Sequence, residues 1–519
     1  MKNEELIMKD LKIMNKKLIS ALLGASLMLG ACTDLNETLY DKVSMDDYGQ
    51  TSNEVQTIVA GAYATLRGYG ADTDEGNGAN CYPTCEYVFF LSACASDEAC
   101  IPTRGTDWYD GGRYQQVQYH TWDAQNQMIL SAWRYPFIGI SKINAIIYQV
   151  DQSELTEAAK NKVKAELRGL RAYYYYQLLD QFGAVPITTD FTASGLPQKS
   201  SRQEVFNFVE KELTDIMELL PSGVQYARFT QNVANTLLAR LYLNAEVYTG
   251  TPRWQDCLDA CEKVSGYALT ANYFDSFKIA NETSSEIIFA IPYDHKQGTV
   301  GNYLASMTYH YNQKKAFTAD ESYPWCGNGI CAQPGLYSSF DETDVRRSSL
   351  LIGQQKSAKD GSDVLMDDGE PLNYTEEIEN YEKAKQNEGA RLDKYEWSST
   401  DIWERDNDWV LMRYAEVLMM KAEANFRLGF TATALPFVNQ LRVRAGLAEL
   451  TALTENDLDK EWQHEFVFEG LRRTTNIRFG TFFKPWWNKG ETPKYRGVFP
   501  IPAEELAKNP NLEQNPDYK

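Results

Sequence analysis

The 519-residue sequence lacks several features that would place it in common functional classes. Beyond position 32, no apolar run approaches the roughly 20 residues that a membrane-spanning helix needs. Positive charge is scarce, because 51 lysines and arginines face 72 acidic residues. The resulting net charge of −21 argues against nucleic acids and anionic lipid surfaces as partners. Glycine-rich phosphate-binding loops of the Walker and dinucleotide types are also missing.

Recognisable catalytic and metal-binding patterns are missing as well. The four histidines lie at positions 120, 295, 310 and 464. His464-Glu465 lacks the second histidine of a zinc-protease helix. The stretch Asp72 to Gly76 resembles a calcium loop only superficially, since it lacks the EF-hand glutamate. The sequence therefore predicts no catalytic residue, no metal site and no cofactor. With 72 acidic residues, chance carboxylate pairs are expected, so they do not indicate a glycoside hydrolase, which stays a less favoured alternative.

The first 32 residues have the organisation of an export signal. Asn15-Lys16-Lys17 precedes a mostly apolar run from Leu18 to Leu29, which is too short to span a bilayer. The run ends in Leu29-Gly30-Ala31-Cys32, where small residues allow a peptidase close access to the backbone. The Cys32 thiol can carry a diacylglycerol, and several acyl chains on one residue give firm anchoring. We therefore expect a signal peptide over residues 1–31 and a lipid on Cys32, in preference to an ordinary secretory cleavage site.

The other eight cysteines form local pairs along the sequence: Cys81/Cys85, Cys94/Cys100, Cys257/Cys261 and Cys326/Cys331. Export permits disulfides. Cys257 and Cys261 fall on a predicted helix, where a bridge between positions i and i+4 has poor geometry. Cys326/Cys331 is the most favourable loop crosslink, but the sequence leaves the connectivity open. None of these spacings is a good zinc pattern.

Helical periodicity dominates the chain. Apolar stripes predict helices around 163–178, 205–220, 234–245, 411–426, 433–445 and 457–479, and Glu286 to Ile291 is a candidate strand. The second helix begins with a capping box, Ser201 to Glu204, and stops before Pro221. Paired helices of this length predict a mostly α protein with tetratricopeptide-like stacking. A generic helical bundle is the alternative.

Two stretches, residues 69–125 and about 265–400, interrupt this periodicity and are rich in Gly, Asn, Asp, Pro and aromatic residues. Long irregular segments on a rigid scaffold commonly carry binding functions. Many of the 32 tyrosines and 11 tryptophans fall in predicted loops. Aromatic rings suit the apolar faces of sugars and peptide side chains. We therefore expect the irregular stretches to contact a ligand.

Short motifs recur along most of the chain. In order, they are Ser96-Asp97-Glu98, Ile101 to Gly112, Trp133-Arg134-Tyr135, Ile143 to Ile147, Glu166 to Tyr174, Phe182 to Pro186, Arg413 to Leu418, Ala422-Glu423-Ala424, Asn439 to Leu447, Phe499 to Pro502 and Gln514 to Tyr518. In this order and spacing they resemble the SusD/RagB family of outer-membrane nutrient-binding lipoproteins. One departure is visible: Glu461-Trp462 and Thr475 stand where the family often has Glu-Arg and Asp. This departure leaves one local salt-bridge network of the family open here.

The resemblance implies a tetratricopeptide-like helical-pair scaffold with an irregular, loop-rich ligand-binding half. The expected organisation is a signal peptide (1–31), a lipidated tether (32–50) and a SusD-like domain (51–519). Within that domain we expect the scaffold over about 51–264 and 401–480, around a ligand-binding region of about 265–400. The implied partner is a SusC-like, TonB-dependent outer-membrane transporter, to which the lipoprotein delivers glycan from the cell surface. Peptide capture, and a purely structural lid for the transporter, are the alternatives.

The predicted glycan-binding residues are loop aromatics and one amide: Trp325, Tyr323, Tyr309, Tyr311, Trp108, Tyr109, Tyr82 and Asn328. Trp325 lies in a turn rich in proline and glycine. Tyr309 and Tyr311 would point the same way in an extended segment. Asp107 and Arg113 are additional polar partners for hydroxyl groups. Packing in the core would explain each aromatic residue about as well.

Overall fold

We analysed a computed structural model of the protein, which describes residues 51–68, 86–294, 302, 306–319, 326–397 and 405–518. Four predicted site residues lie outside these ranges, namely Cys32, Tyr82, Tyr323 and Trp325, and so does the signal peptide predicted before Cys32. In the described part of the chain, no helix combines the length and the apolar character that crossing a membrane would require.

Helices make up most of residues 127–262 and 414–479. The described helices are α1 (Ser52–Ala64), α2 (Glu86–Cys94), α3 (Arg113–Gln118), α4 (Gln127–Gln152), α5 (Glu157–Gln181), α6 (Arg202–Ile216), α7 (Gln231–Leu243), α8 (Ala245–Thr249), α9 (Trp254–Glu262), α10 (Lys314–Phe317), α11 (Leu336–Ser339), α12 (Tyr414–Arg427), α13 (Thr431–Arg444), α14 (Glu455–Glu465), α15 (Arg472–Phe479) and α16 (Ala503–Lys508). The prediction of a mostly α fold is confirmed.

The strands are short and join distant parts of the chain. They are β1 (Ala99–Cys100), β2 (Ile287–Ile291), β3 (Cys331–Ala332), β4 (Leu350–Leu351), β5 (Gly353–Gln354), β6 (Asn373–Tyr374), β7 (Arg391–Leu392) and β8 (Trp409–Arg413). They pair antiparallel as β1–β3, β2–β8, β4–β7 and β5–β6. The predicted strand at 286–291 is therefore confirmed, and its partner is the strand that leads into α12.

Local sequence signals fix some element ends and miss others. Ser201 caps α6 and Glu204 completes the capping box, as predicted. The expected helix over 411–426 was placed too early, because Leu411 belongs to β8 and α12 begins at Tyr414. The expected helix over 457–479 is two helices, α14 and α15. Phe468 and Gly470 adopt left-handed backbone conformations between them, with φ of 62° and 74°, which an α-helix cannot contain. Residues 86–94 and 113–118, expected to be irregular, are helical.

Consecutive helices pack in pairs, as in tetratricopeptide-like proteins. α4 packs on α5, α5 on α6, α7 on α9 and α12 on α13, and α9 also contacts α12. Two glycines permit the closest approaches. A β-carbon on Gly139 of α4 would lie 2.4 Å from the Tyr174 ring, and one on Gly169 of α5 would lie 2.3 Å from the Phe229 ring. Each glycine is therefore the residue that lets an aromatic ring rest on a helix backbone.

Replacing Gly169 with alanine is expected to destabilise the protein by about 1–3 kcal/mol, because the added methyl group overpacks the contact with Phe229. Alanine otherwise favours a helix interior over glycine by about 1 kcal/mol. The matched control is Gly61→Ala in α1, where no atom lies within 4 Å of the added carbon. Urea denaturation should move in opposite directions for the two variants. Equal shifts of the two midpoints would show that helix propensity, and not the ring contact, decides the outcome.

A buried network of ion pairs joins the helical scaffold to the irregular half. Its basic members are Arg346, Lys394, Arg413 and Arg444, and its acidic members are Asp344, Glu286, Glu461, Glu465 and Glu469. Glu465 lies 3.0 Å from Arg346 and 2.6 Å from Arg413, and it also pairs with Arg444. Glu461 takes part in these ion pairs, whereas Trp462 and Thr475, where the resemblance implied charged residues, carry no charge and do not.

Candidate ligand-binding surface

Irregular segments from distant parts of the chain meet at one surface. β1 pairs with β3, so the segment 101–113 that follows β1 lies beside the segment 326–330 that precedes β3. The Tyr311 hydroxyl donates to the Asp107 carboxylate, and this bond joins the segment 306–313 to the segment 101–113. The Asn312 amide donates to the Leu365 carbonyl oxygen at 2.8 Å and brings in the segment 365–388. We define the candidate site as Asp107, Trp108, Tyr109, Tyr311, Asn312, Asp367 and Gln386, each of them exposed or half-buried.

The backbone of residues 105–112 is dominated by left-handed conformations. Positive φ angles occur at Gly105, Trp108, Asp110, Gly111 and Gly112. Glycine adopts such angles without cost, whereas a bulky side chain with φ of 63°, as at Trp108, stores strain of about 1–3 kcal/mol. Such strain persists only where surrounding contacts enforce it, and it concentrates at functional sites. The surrounding contacts therefore impose a left-handed backbone conformation on Trp108.

Contacts from the opposite segment hold Trp108 in place. Its indole nitrogen donates to the Gly327 carbonyl oxygen at 2.9 Å. The ring lies so close to Gly329 that a β-carbon there would sit 2.5 Å from it, and the Tyr114 ring packs at 5.7 Å. The side chain is half-buried. The position predicted from sequence to bind ligand thus has a packing role and is still partly exposed.

Tyr109 and Tyr311 flank Trp108 and differ in how they are fixed. Tyr109 is 53% exposed. Tyr311 is half-buried, and its hydroxyl is occupied by Asp107. Burial and the neighbouring Asp107 raise the pKa of Tyr311 above its usual value, so the phenol stays protonated as a hydrogen-bond donor. The surface therefore combines one open ring, one partly covered ring and an exposed carboxylate held in a fixed position.

A chain of hydrogen bonds centred on His310 orients the polar residues of the candidate site, Asn312, Gln386 and Asp367. The Asn312 backbone N–H donates to His310 Nδ1 at 3.0 Å, so Nδ1 is an acceptor and Nε2 carries the proton. His310 Nε2 therefore donates to the Gln386 amide oxygen at 2.8 Å. The Gln386 amide nitrogen then donates to Asp367 Oδ2 at 3.0 Å. A neutral buried imidazole thus sets the direction of an amide and a carboxylate at the surface.

Two predicted ligand contacts are buried in the structure. Tyr309 is fully buried, packs against Phe317 at 5.0 Å and donates to the Asp393 carboxylate. Asn328 is also fully buried, under the backbone of Tyr309, whose carbonyl oxygen accepts from the Asn328 N–H at 2.7 Å. The expectation that Tyr309 and Tyr311 point the same way was wrong, because residues 306–313 form turns and not an extended strand. In this structure neither Tyr309 nor Asn328 offers an accessible surface to a ligand.

The cysteines do not pair as the spacing favoured. Cys326 and Cys331 are not bonded to each other, so the expected loop crosslink between them is not formed. Strand pairing explains the difference, because Cys331 lies in β3 directly opposite Cys100 of β1. Cys257 and Cys261 are free and buried on α9, in line with the poor geometry expected for a bridge along a helix.

Most polar residues of the candidate site were not predicted from the sequence. Asp367, Gln386 and His310 carry no shared local motif, and Gln386 follows His310 by 76 positions. Only the folded chain brings them together. Arg113, predicted as a polar partner, instead forms an ion pair with Asp110 at 3.3 Å. No group of three or more potential metal-ligating side chains occurs in the part of the chain that the structure describes.

Comparisons with known proteins identify relatives that match most of this chain. A family model described as the SusD family matches residues 285–518. A second model, described as starch-binding associating with outer membrane, matches residues 101–243. Starch-binding protein SusD of Bacteroides thetaiotaomicron is 26% identical, over 97% of this chain and 99% of its own length. SusD-like protein P2 of Formosa agariphila is 25% identical, over 95% of this chain and 98% of its own.

Solved structures share the fold over nearly the whole chain. A laminarin-binding SusD-like protein superposes with a TM-score of 0.71 at 22% identity, covering 91% of this chain and all of its own. Surface glycan-binding protein A from Bacteroides uniformis gives a TM-score of 0.72 at 21% identity, with coverage of 90% and 99%. At these identities the likeness concerns the fold, and the ligand has to be argued from the residues of this chain.

Proposed function

The chain belongs to the SusD-like family, and from this premise we propose that it binds a glycan at the candidate site on the cell surface. The observation that carries the proposal is the enforced presentation of aromatic rings beside fixed polar groups. Tyr109 and the open part of Trp108 offer apolar faces, on which the C–H face of a pyranose ring can lie. Relatives named as starch-, laminarin- and glycan-binding proteins support the same ligand class.

We propose that the polar side chains of the candidate site provide its specificity for hydroxyl groups. The Asp107 and Asp367 carboxylates accept hydrogen bonds, and the Asn312 and Gln386 amides offer both donors and acceptors. Because Tyr311 and His310 already hold these groups in position, little side-chain freedom is lost when a sugar binds. This preorganisation favours capture of a hydroxyl-rich ligand over a purely apolar one.

The proposed role is capture without covalent change, with delivery to a SusC-like, TonB-dependent outer-membrane transporter. A lipid on Cys32 would anchor the protein to the outer membrane, facing the exterior, and residues 32–50 would tether the domain. The relatives' names as binding proteins support the absence of catalysis. Peptide capture is the closest alternative, and a glycoside hydrolase is a more distant one. Product release from a glycan panel, abolished by a single carboxylate substitution, would identify the hydrolase.

Calorimetry and affinity electrophoresis against a panel of neutral polysaccharides and peptides test the proposal. The expected result is saturable binding of at least one glycan, with no shortening of the chains after prolonged incubation. Binding to peptides with no response to any glycan would refute it. Tyr148 supplies the control, because it is 40% exposed on α4 and lies outside the candidate site. Tyr148→Ala should bind as the unmodified protein does.

Acidification should weaken glycan binding through His310. Burial is the main cause that holds the pKa of His310 below its usual value of about 6.5, so the imidazole is neutral at and above that pH. At a pH below this lowered pKa, a proton on Nδ1 ends the hydrogen bond from Asn312 and disturbs the turn that carries Tyr311. We expect affinity to be level from pH 8 to 6.5 and to fall as the pH drops further. The variant His310→Gln should lack this fall; a parallel decline in both proteins would assign it to another group.

A further inference from the structure

Two cysteine thiols face each other directly beneath the candidate site. Cys100 of β1 and Cys331 of β3 occupy opposite positions in an antiparallel pair, and their sulfur atoms lie 3.8 Å apart. Opposite residues of such a pair have Cα atoms about 4.5–5.5 Å apart, within the range that a disulfide spans. Both side chains are fully buried.

The surroundings of the pair favour its reaction. Arg104 places a guanidinium nitrogen 3.5 Å from the Cys331 sulfur, and the same guanidinium is fixed by the Glu388 carbonyl oxygen at 2.7 Å. Burial raises the pKa of the Cys331 thiol, but the hydrogen bond with Cys100 and the positive charges of Arg104 and Arg391 outweigh burial and lower it. A thiolate is the species that attacks a disulfide. Cys331 is therefore the nucleophile of the pair.

We propose that Cys100 and Cys331 form a structural disulfide in the exported protein. The Cys331 thiolate attacks one sulfur of an external disulfide, such as that of a thiol–disulfide oxidoreductase, and expels the other sulfur as a thiolate. Cys100 then loses its proton and attacks the Cys331 sulfur, expelling the second thiolate. The two cysteines lose two electrons and two protons in total, and the external disulfide is reduced to a dithiol. Because both sulfurs are buried, the exchange requires β1 and β3 to part locally while Arg104, held by the Glu388 carbonyl oxygen, stays beside Cys331.

The crosslink would brace the candidate site from below. It joins positions 231 residues apart, and closing so long a loop restricts the unfolded chain strongly in the chain-entropy model. β1 leads into the segment that carries Asp107 and Trp108, and β3 follows the segment that carries Gly327 and Gly329. The disulfide would therefore hold together the two segments between which the Trp108 ring is clamped. It acts whether or not the ligand is a glycan.

Peptide mapping of the full-length, exported chain tests this assignment. Cells are lysed in iodoacetamide without reductant, and the purified protein is digested with trypsin. Cleavage after Arg67, Arg104, Lys315 and Arg346 gives peptides 68–104 and 316–346, which carry Cys100 and Cys331 respectively. We expect these two peptides to be recovered as one linked species that separates on reduction. Reduction of the intact protein should also lower its melting temperature by several degrees.

Neighbouring cysteines provide matched controls, because peptide 68–104 also holds Cys81, Cys85 and Cys94, and peptide 316–346 also holds Cys326. The variants Cys81→Ser, Cys85→Ser, Cys94→Ser and Cys326→Ser should keep the linked species, whereas Cys100→Ser and Cys331→Ser should lose it. The proposal fails if both wild-type peptides are recovered separately, with Cys100 and Cys331 alkylated, even after refolding with oxidised glutathione. It also fails if the link depends on Cys81, Cys85, Cys94 or Cys326. Since the mapping uses the unmodified protein, a variant that does not fold leaves the test intact.

Discussion

Replacing Glu465 with glutamine is expected to lower the free energy of unfolding by about 3–5 kcal/mol, because it removes the charge that three buried arginines share. Glu465 is fully buried and pairs with Arg346, Arg413 and Arg444. These guanidinium groups hold its pKa well below the usual range, against the opposing effect of burial. The amide keeps the shape of the side chain but leaves cationic charge uncompensated in a site without water access. Urea denaturation followed by circular dichroism measures the loss.

The pH dependence of this loss gives a second check. A carboxyl group whose pKa is lowered by folding stabilises the protein above its unfolded pKa of about 4.3, and this stability disappears as the pH falls. The advantage of the wild type over Glu465→Gln should therefore be full at neutral pH and shrink in acid. Glu504 is the control, because its carboxylate is 52% exposed and pairs with Arg134 at the surface. Glu504→Gln should cost less than about 1 kcal/mol, and equal losses in the two variants would contradict the argument.

Replacing Trp108 with alanine is expected to reduce glycan affinity at least 30-fold, which corresponds to about 2 kcal/mol of binding free energy. The substitution removes the central ring of the candidate site and the hydrogen bond to Gly327. It also removes the contacts that hold position 108 in its strained conformation, so the loop is free to relax. Calorimetry with the glycan identified in the panel measures the effect, and thermal unfolding checks that the variant is folded.

A second pair of variants separates ring contact from loop positioning. Trp108→Phe keeps a ring but loses the indole donor, and it should retain part of the affinity. Tyr109→Ala removes a ring that is 53% exposed, and it should weaken binding without lowering stability. If Trp108→Ala lost no affinity, or if Tyr148→Ala lost as much, the ligand would have to bind elsewhere. One alternative location is the cavity of about 530 Å³ between α4 and α16, which Trp133 and Phe137 line.

The helical scaffold was predictable because its determinants are local. The apolar stripes repeat from one helical turn to the next, the capping box at Ser201 and Glu204 lies within one turn, and α6 begins where this box places it. The break between α14 and α15 was not predictable in the same way. Phe466, Val467 and Phe468 continue the apolar pattern, and only their burial against other elements requires the left-handed turn at 468–470. Apolar periodicity therefore reported what is buried and not where the helix ends.

The candidate site was predictable only in part, for a related reason. The glycine-rich segment around Trp108 and Tyr109 was visible in the sequence, and the structure places both residues at the surface. Tyr309 and Tyr311 have the same chemistry and differ by two positions, yet one is in the core and the other on the rim. The positions of the two side chains depend on their hydrogen-bond partners, Asp393 for Tyr309 and Asp107 for Tyr311, which lie far away along the chain. No local pattern distinguishes two tyrosines whose partners are so distant.

The seating of the Trp108 indole on Gly329 has a consequence for how ligand preference diverges among related chains. The tilt of this ring is set by two loops that are separated by more than 200 residues in the primary structure. A side chain introduced at position 329 would push the indole outward, and a change at position 327 would alter the acceptor that steers it. Selectivity can therefore drift during evolution through positions that never meet a sugar, while every residue of the contact surface stays the same.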